Sequence, residues 1–376
     1  MGITRKPFGG RRAWQVGSGE VELTILEGGG HLAAITLAER PGLNPFWRPV
    51  WPTVEPWRYR AREHGPAVGG SALLASIAGH IFCVGHFGNP SAAERAAGMD
   101  GHGEGPVTRW QELGRRETRN RTQLTLGCAL LKDGMVVERT YATRTGSHTV
   151  TVATAIRSLL DFDRPFTLCE HGSFSDPFLE KGVTVCDCSA DKGHVFPGAF
   201  SGRQRLAADA VFDWPIAPGA GGGRVDLRRI DTRCRSNSDF TAQRMDPSRE
   251  DAWAAITNPK LGAAVIYHWR RGDYPWLGNW EENFCRTAAP WGGKTLARGL
   301  EFANAPFPLP LEEQVRLGRL FDTPTYGWLP ACGRVETVFT VTLVPPPAGV
   351  CGLADVRTAP DGGTELDWVL EKGRKG

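Results

Sequence analysis

Residues 123–141 read Gln-Leu-Thr-Leu-Gly-Cys-Ala-Leu-Leu-Lys-Asp-Gly-Met-Val-Val-Glu-Arg-Thr-Tyr, and this stretch indicates the fold most clearly. Two runs rich in alternating apolar residues, 124–130 and 136–141, flank the segment Lys-Asp-Gly-Met at 132–135. A period of two is typical of a strand with one buried face, and Asp-Gly supplies the positive-φ positions of a tight turn. The stretch therefore predicts an antiparallel β-hairpin.

The rest of the chain repeats this pattern. Its 47 glycines and 27 prolines leave only short runs between them, and many of these runs are rich in β-branched residues. Strands are predicted at 20–26, 148–155, 263–268 and 335–343. Helix is predicted at 91–97, where Ser and Glu three residues apart form a capping box, and at 311–316. No repeat or long linker divides the chain, so we expect an all-β fold, one large antiparallel β-sandwich domain over residues 1–376.

Composition narrows the class of protein. The 44 Lys and Arg residues against 41 Asp and Glu leave a formal charge of +3, and the basic residues are scattered, so no nucleic-acid partner is expected. No run of about 18 apolar residues occurs, so no membrane association is expected. Nine cysteines without Cys-x-x-Cys spacing favour reduced thiols. We expect a soluble, cytoplasmic protein, and nothing in the sequence indicates its oligomeric state.

Residues 276–308 combine aromatic and acidic side chains without a helical period. The segment contains Trp276, Trp280 and Trp291 together with Glu281, Glu282 and Glu301. Indole faces pack on the C–H faces of a sugar ring, while the carboxylates and an arginine of the segment hydrogen-bond its hydroxyls. The segment therefore predicts a carbohydrate site in which these tryptophans are stacking platforms, although burial in a core is the commoner role of a single tryptophan.

Four short motifs follow one another in a definite order. They are Glu-Gly-Gly-Gly-His-Leu-Ala-Ala-Ile-Thr-Leu at 27–37, Gly-His-Gly-Glu-Gly-Pro-Val-Thr-Arg-Trp at 101–110, Cys-Glu-His-Gly-Ser-Phe-Ser-Asp at 169–176 and Gly-Leu-Glu-Phe-Ala-Asn-Ala-Pro-Phe-Pro at 299–308. In this order they resemble the aldose 1-epimerase (galactose mutarotase-like) family over roughly residues 25–345. The resemblance implies a galactose mutarotase-like supersandwich that acts on a small-molecule carbohydrate without a cofactor or metal.

The same resemblance implies roles for individual residues. His171 matches the acid that protonates the ring oxygen, and Glu301 matches the base that takes the proton of the anomeric hydroxyl. His102 and Asp239 match residues that hydrogen-bond the sugar. Opening a hemiacetal requires one proton donor and one proton acceptor, and an imidazole with a carboxylate can supply both near neutral pH.

The sequence departs from the family at one motif. The family has an arginine in an Asn-Arg-Ile segment before the His-Gly motif, whereas residues 79–88 here read Gly-His-Ile-Phe-Cys-Val-Gly-His-Phe-Gly. We therefore expect His80 and His86 to contact the substrate. His80, His86 and His102 with Glu104 could instead hold a divalent transition metal, but their spacing is no known ligand signature, which favours histidines without a metal.

Glu281 and Glu282, which follow Trp280 directly, are further candidates for contact with the sugar and compete with Glu301 for the catalytic role. Adjacent residues of a strand face opposite ways, so at most one of them should enter a pocket. Ion pairing with Arg286 or Arg298 is the structural alternative for either glutamate. The tryptophan-rich and arginine-rich segment 41–62 is expected to form a rim over the pocket or a contact between subunits.

The leading hypothesis is therefore an aldose 1-epimerase-like enzyme that acts on a free sugar or sugar derivative. Two alternatives remain open: a non-catalytic carbohydrate-binding protein, and a metal-assisted carbohydrate lyase or isomerase on the same fold. The sequence contains no P-loop, no dinucleotide-binding fingerprint and no Gly-x-Ser-x-Gly elbow.

Overall fold

Antiparallel strands make up most of the computed structural model, which describes residues 2–358 and 363–371. The strands up to residue 175 are β1 (Gly2–Arg5), β2 (Ala13–Gly17), β3 (Val21–Leu26), β4 (Leu32–Leu37), β5 (His80–Gly85), β6 (Gln111–Glu117), β7 (Arg121–Leu130), β8 (Met135–Arg144), β9 (Thr149–Ser158) and β10 (Arg164–Ser175). Those of the middle are β11 (Val185–Cys188), β12 (Ala190–Val195), β13 (Val211–Asp213), β14 (Ile216–Pro218), β15 (Arg224–Asp226), β16 (Asn237–Met245), β17 (Asp251–Asn258) and β18 (Ala263–Arg270). The last are β19 (Trp276–Asn283), β20 (Leu296–Ala303), β21 (Arg319–Leu320), β22 (Thr323–Pro324), β23 (Gly327–Leu329), β24 (Arg334–Val344), β25 (Val350–Thr358) and β26 (Thr364–Leu370).

Helices are short. They are α1 (Ala61–His64), α2 (Ala72–Ser76), α3 (Ala92–Ala96) and α4 (Leu311–Leu317), and three single turns of 3-10 helix lie at Pro56–Arg58, Gly65–Val68 and Gly105–Val107. The predicted helix at 91–97 is confirmed as α3, with both hydrogen bonds of the Ser91–Glu94 capping box present. The second predicted helix is confirmed as α4. None of the helices in the described part of the chain is long and apolar enough to span a bilayer.

Two large sheets form the sandwich. The larger sheet has the order β1-β2-β3-β4-β5-β10-β20-β19-β16-β12-β13, and β23 pairs with β10. The smaller has the order β11-β17-β18-β24-β9-β8-β7-β6. The paired strands run antiparallel throughout both sheets, which confirms the predicted fold class. Residues 1, 359–362 and 372–376 of the predicted domain lie outside the described residues.

The predicted hairpin at 123–141 is the β7–β8 pair. Leu124 lies opposite Tyr141 and Leu130 opposite Met135, so Met135 belongs to the strand and not to the turn. Of the Asp133-Gly134 pair in the turn, only Gly134 has a positive φ, which is 60°. A residue without a Cβ adopts this conformation at little cost.

The core lies between the sheets, where alternate residues of each strand meet. Phe302 of β20 stacks on Trp269 of β18, with ring centroids 4.5 Å apart and planes inclined by 15°. Leu168, Leu277 and Leu300 of the larger sheet belong to the same buried cluster, together with many residues of the smaller sheet. The other face of the larger sheet carries a second cluster that contains Phe240 and Trp280. The larger sheet is thus covered on both faces.

Candidate active site

A cavity of about 760 Å³ lies on the face of the larger sheet that points away from the smaller sheet. Strands β10, β16, β19 and β20 form its floor, and loops form its walls. Its lining includes aromatic, imidazole and charged side chains: Trp47, His102, His171, Phe196, Phe200, Phe240, Trp280, Arg286, Trp291 and Glu301. A partly apolar cavity with a few convergent polar groups is the usual form of a small-molecule site.

The register of β10 against β20 brings His171 and Glu301 together. They are direct cross-strand partners, and His171 Nε2 lies 3.2 Å from Glu301 Oε1. The other ring nitrogen of His171, Nδ1, lies 3.1 Å from the hydroxyl of Ser173, two residues along the same face of β10. Among the described residues Oε1 has no partner in hydrogen-bond geometry, so this buried oxygen keeps an unused acceptor site beside the His171 ring.

Burial decides the charge of this pair. It raises the pKa of Glu301 to about 8, against the opposing effect of the Arg286 cation. It also holds the pKa of His171 well below its ordinary value, with His102 and Arg286 acting in the same direction. At neutral pH the pair therefore holds one proton, as a neutral carboxylic acid beside a neutral imidazole.

Two glycines leave the room that the Glu301 side chain occupies. A Cβ added at Gly299 would lie 2.3 Å from Glu301 Oε1, and a Cβ added at Gly278 would lie 2.6 Å from the ring of Phe240. Gly278 is the direct partner of Glu301 on β19, and Gly299 that of Trp280. Side chains at these two positions would fill the floor beside the carboxyl group.

His102 enters the same cavity from a strained loop. Its φ of 63° is positive, which is uncommon for a residue other than glycine. Its Nδ1 lies 3.4 Å from Cys83 Sγ, and its ring meets that of His171 edge to face at 5.2 Å. Burial lowers the pKa of His102 to about 3, and His86 and Arg286 act in the same direction. A neutral imidazole held in this way can offer a hydrogen bond to a bound molecule.

Three indoles surround the open volume. Trp47 and Trp291 stack with planes inclined by 8° and centroids 5.8 Å apart, and Trp280 meets Trp291 edge on at 6.1 Å. The indole nitrogens of Trp47 and Trp280 are buried without a hydrogen-bond partner in the part of the chain that the structure describes. Trp47 belongs to the segment 41–62, so part of that segment lines the pocket.

Arg286 is the cationic side chain of the cavity lining. Its Cζ lies 4.7 Å from the Trp291 ring centroid and 5.3 Å from that of Trp280. Burial lowers the pKa of Arg286 and the neighbouring Glu282 raises it. An arginine keeps its proton in proteins, so the group remains a cation stacked among aromatic faces.

Asp239 and Glu281 do not reach the cavity, contrary to their predicted role. They are cross-strand partners on the inner face of β16 and β19. Glu281 lies 3.3 Å from Arg298 Nη2, and Asp239 Oδ1 accepts hydrogen bonds from the backbone of Arg205 and Leu206. Both carboxylates are used within the protein.

His80 lies on the inner face of β5 and is also absent from the cavity lining. Its Nε2 lies 2.9 Å from Glu170 Oε2, and its Nδ1 lies 3.0 Å from the Tyr267 hydroxyl. His86 lies beneath the loop of His102, with Nε2 2.9 Å from the carbonyl oxygen of Asp100. His86 therefore supports the loop and does not line the cavity.

Trp276 and Glu282 share the face of β19 with Trp280 but are covered. Trp276 is fully buried, and its indole nitrogen donates to the carbonyl oxygen of Pro324 at 2.8 Å. Glu282 Oε1 accepts hydrogen bonds from the backbone of Cys285 at 2.6 Å and of Arg286 at 2.9 Å. Of the predicted sugar contacts, the structure thus places His102, Trp280 and Trp291 in the cavity beside His171 and Glu301.

The histidines of the metal alternative have separate surroundings. His80 faces Glu170, His86 faces Asp100, and Glu104 Oε2 accepts a hydrogen bond from the backbone of Lys132 at 2.9 Å. Within residues 2–358 and 363–371, no three His, Cys, Asp or Glu side chains are grouped so that they could hold a metal ion.

Ser173 and Arg286 line the cavity but are not among the individually predicted site residues. Ser173 could have been found, because it lies two positions after His171 and a strand repeats its faces every two residues. Arg286 lies within the tryptophan-rich segment, where an arginine is expected to hydrogen-bond sugar hydroxyls, but the sequence singles it out by number only as an ion-pair partner of Glu281 or Glu282. Its approach to the cavity depends on the loop after β19, which carries no periodic signal.

Comparison with known proteins identifies the fold. No family model and no curated protein matches the sequence. Solved structures do match. A Klebsiella pneumoniae protein named as a candidate aldose 1-epimerase superposes with a TM-score of 0.63 at 13% identity, over 91% of this chain and 83% of that one.

Two further structures agree over most of both chains. A galactose mutarotase-like protein of Clostridium acetobutylicum has a TM-score of 0.59 at 12% identity, over 92% of this chain and 98% of its own. A galactose mutarotase related enzyme of Lactobacillus acidophilus has a TM-score of 0.57 at 11% identity, over 88% and 97%. At such low identity the likeness shows the fold alone, and that fold is the galactose mutarotase-like β-sandwich.

Proposed function

We propose that this protein is an aldose 1-epimerase-like enzyme, which interconverts the two anomers of a free sugar or sugar derivative. One observation carries the proposal: His171 Nε2 and Glu301 Oε1 lie 3.2 Å apart on the floor of a cavity walled by indoles. The fold that the chain shares with proteins named for this activity is consistent with it. Neither the turnover nor the sugar follows from the fold, so both belong to the proposal.

The chemistry requires one proton that moves between two groups. Glu301 accepts the proton of the anomeric hydroxyl while His171 donates a proton to the ring oxygen, which breaks the bond between that oxygen and C1. The product is the open-chain aldehyde. Rotation about the C1–C2 bond and the reverse proton transfers close the ring as the other anomer, so protons balance over the cycle.

The protonation state of the pair suits this cycle. The raised pKa of Glu301, about 8, and the lowered pKa of His171 leave one proton on the pair. Transfer of that proton from Glu301 to His171 produces a carboxylate base and an imidazolium acid. The low polarity that raises the pKa of Glu301 also makes the carboxylate a stronger base once it is formed.

The remaining cavity residues hold the sugar. Burial raises the pKa of Cys83, so its thiol stays protonated and can donate to His102 Nδ1. This leaves Nε2–H of His102 as a donor for a sugar hydroxyl. The indoles of Trp280 and Trp291 line the cavity and supply apolar surface for the C–H side of the ring.

Substitution of the two catalytic residues tests the proposal. Glu301→Gln and His171→Asn should each lower the enzyme-dependent rate of anomer exchange by about 10²- to 10⁴-fold, because each removes a general acid–base group. Exchange NMR of the anomeric protons, over a panel of monosaccharides and sugar derivatives, measures that rate above spontaneous mutarotation. Binding of the sugar should persist in both variants.

Matched controls are Glu138→Gln and His148→Asn, which change the same residue types away from the cavity and should leave exchange unchanged. Unaltered exchange in Glu301→Gln or His171→Asn would remove that residue from the mechanism. A wild-type protein that binds a sugar but does not accelerate exchange would instead support the non-catalytic carbohydrate-binding alternative.

A further inference from the structure

Arg286 presents an open guanidinium to the cavity. Its Nε lies 3.3 Å from Glu282 Oε2 and donates to Ser201 Oγ at 3.1 Å. Its Nη1 and Nη2 make no hydrogen bond with any residue that the structure describes. The Arg286 side chain is 25% exposed and neither of these nitrogens is fully buried, so a ligand in the cavity that the residue lines can reach them.

The guanidinium is held in a fixed orientation. Glu282 is fully buried, and its Oε1 accepts hydrogen bonds from the backbone of Cys285 and of Arg286 itself. Trp291 and Trp280 flank the guanidinium at 4.7 Å and 5.3 Å, and Phe200 lies 5.9 Å away. One edge of the group is anchored by Glu282 and Ser201, so the other edge is preorganised for a ligand.

Arg286 lies close enough to the catalytic pair for its charge to act on the pKa of both Glu301 and His171. Trp280 joins the two ends of the cavity, because its ring lies 6.1 Å from the His171 ring and 5.3 Å from Arg286 Cζ. A sugar that lies alongside Trp280 with C1 at His171 and Glu301 would therefore bring its far end to Arg286. Arg286 is the cationic side chain of the lining, whereas its ion-pair partner Glu282 is fully buried and does not line the cavity.

We infer that the substrate is an acidic sugar whose carboxylate or phosphate, remote from the anomeric carbon, binds to Nη1 and Nη2 of Arg286. This inference rests on the proposed function for the position of C1. The planar fork of two N–H groups matches two oxygens of a carboxylate or phosphate, whereas a neutral hydroxyl uses only one of them. A bound anion would add to the compensation that Glu282 gives this partly desolvated cation.

The test compares affinities for matched neutral and acidic sugars. Dissociation constants are measured by NMR titration for glucose, galactose and mannose, each alongside its uronate and its 6-phosphate. The wild-type protein should bind at least one acidic sugar about 10- to 100-fold more tightly than its neutral partner, the range expected for a charge-assisted bidentate contact. In Arg286→Gln this ratio should fall to near one.

Two further variants separate the effect of the planar fork of Arg286 from the effect of its charge and of its position. Arg286→Lys keeps the charge but loses the fork, so the ratio should fall only in part, and this variant also serves if Arg286→Gln does not fold. Arg203→Gln removes the same charge from an exposed neighbouring position and should keep the wild-type ratio. A preference for uronates alone assigns a carboxylate, and a preference for phosphates alone assigns a phosphate.

The inference is overturned if no acidic sugar is preferred, if the preference survives in Arg286→Gln, or if none of the sugars binds. Its failure is distinct from failure of the proposed function. The affinity ratio reports on Arg286, whereas anomer exchange reports on His171 and Glu301. If the protein prefers acidic sugars but does not accelerate exchange, the inference about Arg286 stands and the proposed enzymatic function fails.

Discussion

Burial of a single carboxyl group gives the cavity its chemical character. Glu301 is 1% exposed, and its pKa is raised to about 8, whereas a glutamate in an unfolded chain ionises near about 4.3. Between these pH values the folded state holds a proton that the unfolded state has released. The free energy of unfolding must therefore fall as the pH rises through this window, and the loss is complete above about pH 8.

Glu301→Gln should relieve this cost. Its unfolding free energy, relative to that of the wild type, should rise between about pH 5 and about pH 8 by an amount on the order of a few kcal/mol, because each pKa unit corresponds to about 1.4 kcal/mol. Urea denaturation at a series of pH values measures this difference. Glu138→Gln, at an exposed position of β8, should show no such rise. A difference independent of pH would mean that Glu301 is ionised in the folded protein.

At the level of the strands, the face on which a residue lies decides its role. In β19, Trp280 and Glu282 lie on the outer face and Glu281 on the inner face, as the period of a strand requires. In β10, His171 and Ser173 face the cavity while Glu170 faces the smaller sheet. Adjacent acidic and imidazole residues therefore belong to different environments.

Substitution of Gly299 in β20 tests whether the reaction depends on the position of the Glu301 carboxyl group. In Gly299→Ala the new Cβ would meet Glu301 Oε1, which is the movable end of a side chain, so the carboxyl group should shift and the strand should remain. We expect anomer exchange to fall by about 10²-fold, the usual result of a displacement near 1 Å at a reacting group. The exchange rate and the unfolding free energy are measured together.

Gly114→Ala is the matched control, because Gly114 lies in β6 and an added Cβ there meets no atom within 4 Å. It should leave exchange unchanged. If Gly299→Ala exchanged anomers at the wild-type rate, the position of the Glu301 carboxyl group would not matter to the reaction, and the proposed role of Glu301 as base would fail.

At the level of the whole molecule, a buried ionic network joins the two sheets behind the site. Arg139 Nη2 of the smaller sheet donates to both carboxylate oxygens of Glu170, at 3.0 Å and 2.9 Å. His80 lies 2.9 Å from the same carboxylate, and the Tyr274 hydroxyl donates to it at 3.4 Å. Glu170 is the chain neighbour of His171, so the network anchors β10 from the inner side.

Removal of one partner from this network should be costly. Arg139→Met would leave the Glu170 carboxylate buried without its main counter-ion, and we expect a loss of about 3–5 kcal/mol in unfolding free energy. Urea denaturation measures the loss. Arg115→Met breaks a surface pair with Glu112 and should cost less than about 1 kcal/mol. Equal losses in the two variants would show that the buried pair contributes no more than an exposed one.

The strands could be predicted from the sequence because their signal is local. The runs at 20–26, 123–130, 135–141, 148–155, 263–268 and 335–343 all lie within or overlap strands of the structure, and both predicted helices are present. Alternation and glycine or proline punctuation act over a few residues, so the fold class follows from the order of the residues alone. The solved structures that the chain resembles share the β-sandwich fold that the motif order implied.

The site could be predicted only in part, because a strand pattern separates two faces without telling which one a second sheet covers. Asp239, His80 and Glu281 have the residue types of sugar contacts but lie on the face of the larger sheet that the smaller sheet covers. His171 and Glu301 are far apart in the chain, and only the register of β10 against β20 places them 3.2 Å apart. Residue types and strand periods are local properties of the chain, whereas register, face and burial arise from the packing of distant segments.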